Sequence, residues 1–526
     1  MRGRKMKRLP ILAQGELPGL APASGPVAVN APRRVGRFID DRPEHLRIGA
    51  QRLDEYLQAH QLGWVVRLRV QLETLDCTSL LVAYTGSGRP PFHPRTLLGL
   101  VVYGILRRLW SLRELEELAV RDVGAWWITG GHQPDHSTVG AFIERHAAVL
   151  TEEFFTALVE QLVRQLHVAP GVVAGDGTVI EAVASHYRTL RREAAELAAE
   201  EAAQVAAAQP GDAAAAAAAE QAQAVAAVAA ERAAERTRHG KDGAATQVAP
   251  GEPEAVLQPR KDGAMRLGYK PSTLVHEQGL IVAQAVHPSS ETAVVPALLA
   301  QHAAVFGVAP STLLLDAAYC TAAVLAPLVA QDIDVLCPAG KATGADDWGK
   351  AGPQGRYGKG AFTYDAARDA YRCPAAQWLT RVGQSRDRTG RPYQRYATPA
   401  CAGCALRVQC TTSRHGRTVE RYDGDDYQDA MAAVLQQPAA QEQYRRRAPI
   451  AERPHAELRL RQGLVRFHRR GTAGAAVDFA LHCIAFDLKW AVNQRPTRCS
   501  GVLMHLGTLC AAQWHWQLIL VRLSIV

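Results

Sequence analysis

The chain has 526 residues, of which 48% are hydrophobic, and a formal net charge of +9. This length predicts two or three structural units, and the hydrophobic content is sufficient for a real core. The net charge is only moderately basic, so it favours nucleic acid as a partner only weakly. No apolar run is long enough to span a membrane, and the basic N-terminus lacks the apolar stretch of a signal peptide. We therefore expect a cytoplasmic protein without membrane contact.

The first part of the chain is predicted to be helical. Residues 1–40 are rich in Pro, Gly, Ala and Arg without periodicity, which indicates a basic flexible extension. Residues 41–168 have apolar residues at helical spacing, and Ser111 with Glu114 forms a capping-box pattern. Short helices joined by tight Gly turns are typical both of a helix-turn-helix DNA-binding module and of an ordinary helical bundle. The pattern leaves both open.

Strands alternating with helices begin near residue 169 and predict an α/β fold with a mixed sheet. A hairpin is predicted to turn at 277–279, and an Ala-rich helical hairpin to break at Pro210-Gly211. The predicted divisions are 169–337 for the first part of the core, interrupted by the Ala-rich insertion and linker 189–262; 338–440 for an irregular, Cys-containing insertion; 441–495 for the last, helical part of the core; and 496–526 for a C-terminal tail.

Two carboxylates stand at the ends of apolar strands. Asp176 follows a Val-rich run and precedes Gly177, and Asp316 follows three consecutive leucines. A charge at the end of a buried strand is costly unless it is paired or metal-bound, and α/β sheets place their ligands at the carboxyl ends of strands. The alternative is that each Asp caps a helix.

A third carboxylate lies in an arginine-rich segment. Arg445, Glu452 and Arg459 are spaced seven residues apart and share one face if the helix is continuous. An acid between arginines can hold a metal while its neighbours grip phosphates, although such a charge run is more often a solvated face. Pro449 and Pro454 complicate the helix, which alternatively begins near Glu452.

These motifs, in this order, resemble the DDE transposases of bacterial insertion sequences. The strand-Asp176-Gly-Thr motif is followed by strand-Asp316-Ala-Ala-Tyr, and then by Tyr-Arg-Arg-Arg before Glu452 and Arg459. The resemblance is closest to the group named after insertion sequence 1182, within the superfamily named after insertion sequences 4 and 5. It runs from about residue 84 to 490, leaving out the Ala-rich run, and includes GRPPFHPRTLLGLVVYGILRRLWSLRELEELAVRD and PDHSTVGAFIERH.

The resemblance implies an RNase H-like mixed-sheet catalytic core, preceded by a helical DNA-binding domain and carrying two insertions. In that family the first Asp lies on the first strand, the second just after the fourth, and the Glu on a late helix. The resemblance thus implies that Asp176, Asp316 and Glu452 are catalytic and hold two Mg²⁺ or Mn²⁺ ions, with Asp176 shared between them.

The implied partners are terminal inverted repeats and target DNA, bound by a homodimer in a synaptic complex at the bacterial nucleoid. The resemblance places Tyr444, Arg445, Arg447 and Arg459 against the DNA backbone. Two other functions stay open on the sequence: an RNase H-like nuclease that cuts without joining, and a non-catalytic DNA-binding relic of a transposase.

The sequence departs from the family pattern at several positions. Arg459 stands where the family has Lys, Ala448 where it has Arg with Arg447 one place off, and Asp487 where it has Asn. Arg keeps the charge of Lys but changes the geometry of phosphate contacts. Glu457 is the rival candidate for the third carboxylate.

Four cysteines form a separate pattern in the second insertion. Cys373, Cys401, Cys404 and Cys410 have the spacing C-x27-C-x2-C-x5-C. A C-x2-C pair with two further cysteines suits tetrahedral Zn²⁺, and the family resembled often carries such a segment. The alternatives are a structural zinc site and four free cysteines in a loop.

Overall fold

A computed structural model describes residues 38–84, 89–238, 240–260, 263–338, 351–352, 356–387 and 389–494. Most of the basic extension predicted for residues 1–40 and the whole C-terminal tail predicted for 496–526 lie outside these ranges. The helices are α1 (Leu53–Ala59), α2 (Gly63–Glu73), α3 (Thr78–Leu81), α4 (Pro94–Leu106), α5 (Leu112–Arg121), α6 (Val123–Thr129), α7 (His136–Thr151), α8 (Glu153–Leu166), α9 (Arg192–Ala208), α10 (Ala213–Arg238), α11 (Val295–Phe306), α12 (Ala322–Ala330), α13 (Arg407–Cys410), α14 (Asp425–Val434), α15 (Pro438–Arg445), α16 (Arg447–Ala456) and α17 (Gly471–Gln494).

The strands form several sheets. They are β1 (Arg47–Ile48), β2 (Gln51–Arg52), β3 (Val172–Gly177), β4 (Ile180–Glu181), β5 (Leu190–Arg191), β6 (Gln247–Val248), β7 (Val256–Pro259), β8 (Met265–His276), β9 (Ile281–His287), β10 (Thr312–Leu314), β11 (Asp334–Leu336), β12 (Ala351–Gly352), β13 (Arg356–Tyr357), β14 (Thr363–Asp365), β15 (Ala370–Arg372), β16 (Trp378–Arg386), β17 (Pro392–Ala397) and β18 (Thr418–Tyr422).

The predicted helical start of the chain consists of α1 to α8. The predicted capping box of α5 is present: Ser111 accepts a hydrogen bond from the Glu114 backbone N–H, and the Glu114 carboxylate accepts one from the Ser111 backbone N–H. Asp135 caps α7 by accepting from the Thr138 backbone N–H at 2.7 Å. These caps satisfy backbone donors that a helix start leaves without intrahelical partners.

The central sheet is mixed, as the sequence predicts. β10 lies parallel to both β3 and β11, whereas the long strand β8 is antiparallel to β3 and β9. β4 and β7 pair with the first half of β8. The β8–β9 hairpin turns where predicted, at Gly279, whose φ of +91° is a conformation that glycine adopts at little cost. Helices pack over β3, β8, β9 and β11 of this sheet.

Helix α17 joins the helices to the sheet. It packs against α2, α4, α7 and α8 on one side and against β9 on the other, and nearly every residue from 477 to 492 is buried. Asp487 is fully buried in this helix and accepts a hydrogen bond from the Ile281 backbone N–H at 2.9 Å. Burial raises the pKa of Asp487 well above its usual range. An Asn side chain offers the same acceptor without a titrating group.

The Ala-rich insertion is the predicted helical hairpin. α9 and α10 pack against each other and are separated by the break at Pro210-Gly211. Their contact has a small apolar cluster of its own, formed by Ala195, Val225, Ala229 and Val248.

The second insertion is more regular than the sequence predicts. Instead of an irregular segment, β14 to β18 form a five-stranded antiparallel sheet in chain order. Its apolar cluster is small, consisting of Phe362, Tyr371, Leu379, Tyr396 and Val419. Because these apolar residues are spaced far apart among charged ones, no continuous apolar run marks the strands.

Among the residues that the structure describes, no helix is both long enough and apolar enough to cross a membrane.

Candidate active site

The first of the predicted carboxylates lies within a central strand. Asp176 is the fifth residue of β3 and pairs across the sheet with Thr273 of β8. Its side chain is 20% exposed. Since Asp176 is a strand residue, the alternative that it caps a helix is wrong.

The second carboxylate comes to the same end of the sheet. The parallel register of β10 and β3 pairs Leu314 with Ala174, so Asp316 and Asp176 each follow two residues later along neighbouring strands. Asp316 also caps a one-turn 3₁₀ helix, Ala317–Tyr319, by accepting from the Ala318 backbone N–H at 2.8 Å. Asp316 therefore both caps a short helix and stands at the end of a buried strand, so the two interpretations of this residue do not exclude each other.

Arg447 of α16 reaches the same end of these strands. α16 packs against β3 and β8, and Arg447 Nη2 lies 3.1 Å from Asp176 Oδ1 and 3.3 Å from the Gly175 carbonyl oxygen. The Arg447 side chain is only 11% exposed, and its Nε has no hydrogen-bond partner among the described residues. A buried pair of this kind is strongly coupled, because removing either charge leaves the other without compensation.

Burial dominates the electrostatics of Asp176. It raises the pKa of Asp176 to about 6, and the negative charges of Asp316 and Glu291 act in the same direction. The positive charge of Arg447 and the Gly177 backbone N–H oppose this shift without overcoming it. The ionised form of Asp176 is thus under-compensated by the protein alone.

The third predicted carboxylate, Glu452, lies on the exposed surface of α16. Its neighbours Ala451 and His455 are buried, and Glu452 is about 60° around the helix from His455. Glu452 makes no hydrogen bond or ion pair with the described residues. Its rival Glu457, by contrast, is bonded to Lys489 of α17.

The helix that carries Glu452 differs from both forms that the sequence allows. It begins at Arg447 rather than near Glu452, because Pro449 lies in the first turn, where its missing N–H is not needed. It is also not continuous: α15 ends at Arg445, and a π-helical turn, Glu457–Arg461, follows Pro454. Arg445, Glu452 and Arg459 therefore do not share one face of a regular helix.

The predicted DNA-contacting residues have different surroundings. Tyr444 is half-buried beside the carboxylates, and burial raises its pKa to about 12. Arg445 is exposed and pairs with Glu442 at 2.6 Å. Arg459 donates a hydrogen bond to the Val179 carbonyl oxygen.

Several residues at the site have no signature in the sequence. His455 is buried, with Nε2 3.4 Å from Thr273 Oγ1, and burial lowers its pKa to about 4. Tyr319 is buried near Asp176, Asp316 and Glu291, and burial raises its pKa. Glu291 follows β9 in a polar loop. Only the register of the strands brings these residues together, so local pattern does not reveal them.

The four cysteines of the second insertion line one small cavity. Cys373 follows β15, Cys401 and Cys404 lie near the 3₁₀ helix Pro399–Gly403, and Cys410 ends α13. None forms a disulfide. The pKa of Cys410 is raised by burial, and the other three cysteines contribute to this rise as neighbouring thiols.

Neither the strand-end carboxylates nor the four cysteines converge on one position as metal ligands do. Among the described residues, no three His, Cys, Asp or Glu side chains are arranged as they are around a bound metal ion. At the strand ends, Asp176 is instead paired with Arg447.

Two family models match parts of the chain. Residues 372–491 match the model described as Transposase DDE domain, and residues 53–145 match the model described as Transposase domain (DUF772). The first match includes Arg447, Glu452 and the four cysteines, and the second includes α1 to α6. Both lie outside the strands that carry Asp176 and Asp316. No curated protein matches the chain closely enough to count as a relative.

Together, the two matches support a DDE transposase of the insertion-sequence type. DNA is the partner that this class implies, and cleavage of nucleic acid is the activity that it suggests.

The raised pKa of Asp176 predicts a pH-dependent stability. The folded carboxyl binds its proton more tightly than the unfolded one, so its contribution is fully present below about pH 4 and is lost as pH rises through about 6. Asp176→Asn removes this contribution. Between about pH 4 and pH 7, the free energy of unfolding of the wild type is expected to fall by roughly 2–3 kcal/mol relative to that of Asp176→Asn. Urea unfolding without divalent ions measures this difference.

Asp334→Asn is the matched control, because Asp334 is an exposed residue of the same sheet. Parallel pH profiles of unfolding free energy for wild type and Asp176→Asn would contradict the assignment.

Proposed function

We propose that the chain is a transposase of the group named after insertion sequence 1182, which cleaves DNA at the ends of its element and joins them to a target. The observation that carries this proposal is the placement of Asp176 and Asp316 at the same end of neighbouring parallel strands. A basic helix, α16, packs on the first of these strands.

The order of the core elements supports an RNase H-like fold. Asp176 lies on β3, the first strand of the sheet, and Asp316 follows β10, which is the fourth strand in chain order when the short strands β4 and β7 are left out. β8 is antiparallel to both β3 and β9, whereas β10 and β11 are parallel to β3. Glu452 comes later, on α16. This is the order that the resemblance to DDE transposases implies for the three carboxylates.

The donor chemistry at the strand ends fits hard divalent cations. Carboxylate oxygens are the ligands that Mg²⁺ and Mn²⁺ prefer, and the raised pKa of Asp176 indicates negative charge that the protein compensates only in part. Asp176, Asp316 and Glu452 are the residues proposed to hold two ions, with Asp176 shared. Such ions, when bound, activate the attacking hydroxyl and stabilise the leaving oxygen of the phosphodiester.

The chain's own residues prepare this site. Above about pH 6, Asp176 is ionised and Arg447 supplies the adjacent positive charge. His455, whose pKa burial lowers to about 4, is neutral at this pH and packs against Thr273 of β8. The Arg447 guanidinium, were it released from Asp176 by a bound cation, would be available to a DNA phosphate, to which it could donate two hydrogen bonds.

Tyr444, Arg445, Arg447 and Arg459 are proposed to contact the DNA backbone. Arg445 is the most available of them, because it is exposed and its partner Glu442 is exposed as well. Such surface pairs contribute little to stability and are exchanged easily for a phosphate. The N-terminal helices are proposed to bind the terminal inverted repeats, and two chains to act together in a synaptic complex at the nucleoid.

The four cysteines are proposed to hold a structural zinc ion. The observation that supports this proposal is that all four cysteines line one cavity, although Cys373 and Cys401 are far apart in sequence. Thiolate sulfur suits tetrahedral Zn²⁺. A metal there would stabilise the second insertion, whose own apolar cluster is small.

Asp176→Asn and Asp316→Asn are each expected to abolish Mg²⁺-dependent cleavage of a duplex that carries the element's end. Since metal-bound charge supplies several kcal/mol of transition-state stabilisation, we expect losses of at least about 100-fold. Glu452→Gln is expected to be equally severe and Glu457→Gln mild, which a gel assay of cleaved DNA measures. Full cleavage by the Asp176 variant contradicts the proposal.

The same assay separates the alternatives. Supplying pre-cleaved ends with a target plasmid tests joining, and cleavage without joining by the wild type would favour a nuclease. Binding of DNA without any cleavage would favour a non-catalytic relic.

Arg445→Ala is expected to weaken DNA binding to a similar degree for all sequences and to reduce the slope of log affinity against log salt by about 1. Fluorescence anisotropy over a range of salt concentrations measures both. Arg192→Ala is the matched control, since Arg192 is likewise paired with a glutamate, on α9. An unchanged slope would remove Arg445 from the interface.

Protein purified without chelators is expected to contain about one zinc ion per chain, because four thiolates complete a tetrahedral site. Cys404→Ser should lose this metal, whereas Cys77→Ala, at a buried cysteine of the N-terminal helices, should keep it. Elemental analysis decides the matter, and absence of both zinc and iron from the wild type would contradict the site.

A further inference from the structure

A further carboxylate, Glu291, lies close to Gly177, the residue directly after Asp176. It belongs to the loop between β9 and α11, and its side chain is 19% exposed. The loop is tied in place, because His287 Nδ1 accepts hydrogen bonds from the backbone N–H groups of Ser289 and Ser290 at 3.1 and 2.9 Å. These bonds fix the loop backbone directly before Glu291.

The glycine after Asp176 makes room for this side chain. A Cβ atom at Gly177 would lie 2.6 Å from Glu291 Oε2 and 2.9 Å from Glu291 Cβ, which is closer than real contacts allow. Any larger residue at this position would displace Glu291. Asp176 thus supplies one carboxylate, and the missing side chain of Gly177 leaves space beside it for that of Glu291.

A buried hydroxyl faces the same space. Ser272 Oγ is 3.1 Å from that Cβ position, and Ser272 is fully buried. Among the described residues, Ser272 Oγ has no hydrogen-bond partner within normal limits of distance and angle, although the Tyr319 hydroxyl is close enough to interact with it. A ligand or its water shell in this space would offer the buried Ser272 hydroxyl a well-formed hydrogen bond that the described residues do not provide.

The three carboxylates influence one another through a poorly solvated space. The charge of Glu291 helps to raise the pKa of Asp176, and burial followed by the charge of Asp316 raises the pKa of Glu291. Two basic groups oppose them: Arg447 beside Asp176, and Lys270 Nζ 3.8 Å from Glu291 Oε2. The local charge is therefore negative when all three acids are ionised.

We propose that Glu291 is a further metal-ligating residue of the site, which binds a divalent cation together with Asp176 and Asp316 once Lys270 and Arg447 give way. This assignment rests on the proposed function and adds a ligand to it. In the structure, Asp176 is paired with Arg447 and Glu291 with Lys270.

The test is calorimetric titration of Mn²⁺ into the full chain without DNA. Glu291→Gln is expected to weaken Mn²⁺ binding at least about 10-fold, the lower end of what loss of a supporting ligand costs. Lys270→Gln is expected to strengthen binding, because it removes a competing positive charge. Glu181→Gln is the matched control: Glu181 is also half-buried, lies on the same sheet and is paired with Arg260, but it is not beside the aspartates. Weaker binding by Lys270→Gln, or binding by Glu291→Gln equal to that of Glu181→Gln, overturns the assignment.

Asp176→Asn separates this assignment from the proposed function. If Asp176→Asn loses Mn²⁺ binding and Glu291→Gln keeps it, only the role of Glu291 fails. If neither variant changes the affinity, or the wild type binds no Mn²⁺, the proposed metal site at the strand ends fails as well.

A second variant guards against misfolding of Glu291→Gln. Gly177→Ala leaves all three carboxylates in the sequence but displaces Glu291, so it is expected to weaken Mn²⁺ binding while retaining cooperative thermal unfolding in chelator. Wild-type affinity in a folded Gly177→Ala chain would contradict the placement of Glu291 in the site.

Discussion

The parallel pairing of β10 with β3 is the constraint on which the site depends. It puts two acidic side chains side by side at one end of a buried sheet, where water compensates their charges poorly. Positive charge must then come from elsewhere in the chain. Arg447 supplies it from α16, and in doing so it fixes where the last part of the core lies against the first.

The N-terminal helices and the central sheet share one hydrophobic core. α17 is buried between the N-terminal helices and β9, so neither layer covers its apolar surface alone. Trp110 adds a second link, since its ring stacks on His468 with centroids 3.5 Å apart, just before α17 begins. The N-terminal helices therefore hold a defined position relative to the strand ends.

The sequence predicts the features that local pattern encodes. An apolar run that ends in Asp predicts Asp176 and Asp316 at strand ends, and Ser111 with Glu114 predicts the start of α5. Glu291 is not predictable in this way, because its approach to Gly177 depends on strand pairing across the sheet. The five-stranded sheet of the second insertion is missed for a related reason: its few buried residues are separated by charged ones. The role of Glu452 stays a prediction, since the structure places it on the exposed side of α16.

The second insertion leaves and rejoins the core at nearly one point. The Cys337 backbone N–H, directly after β11, donates to Met431 Sδ of α14 at 3.4 Å, so the chain between them forms a closed loop. The entropy of closing a loop grows only with the logarithm of its length, by about 0.6 kcal/mol for each doubling. The core can therefore tolerate large changes in the size of this segment at little thermodynamic cost, which leaves its sequence free to diverge while the strand ends stay fixed.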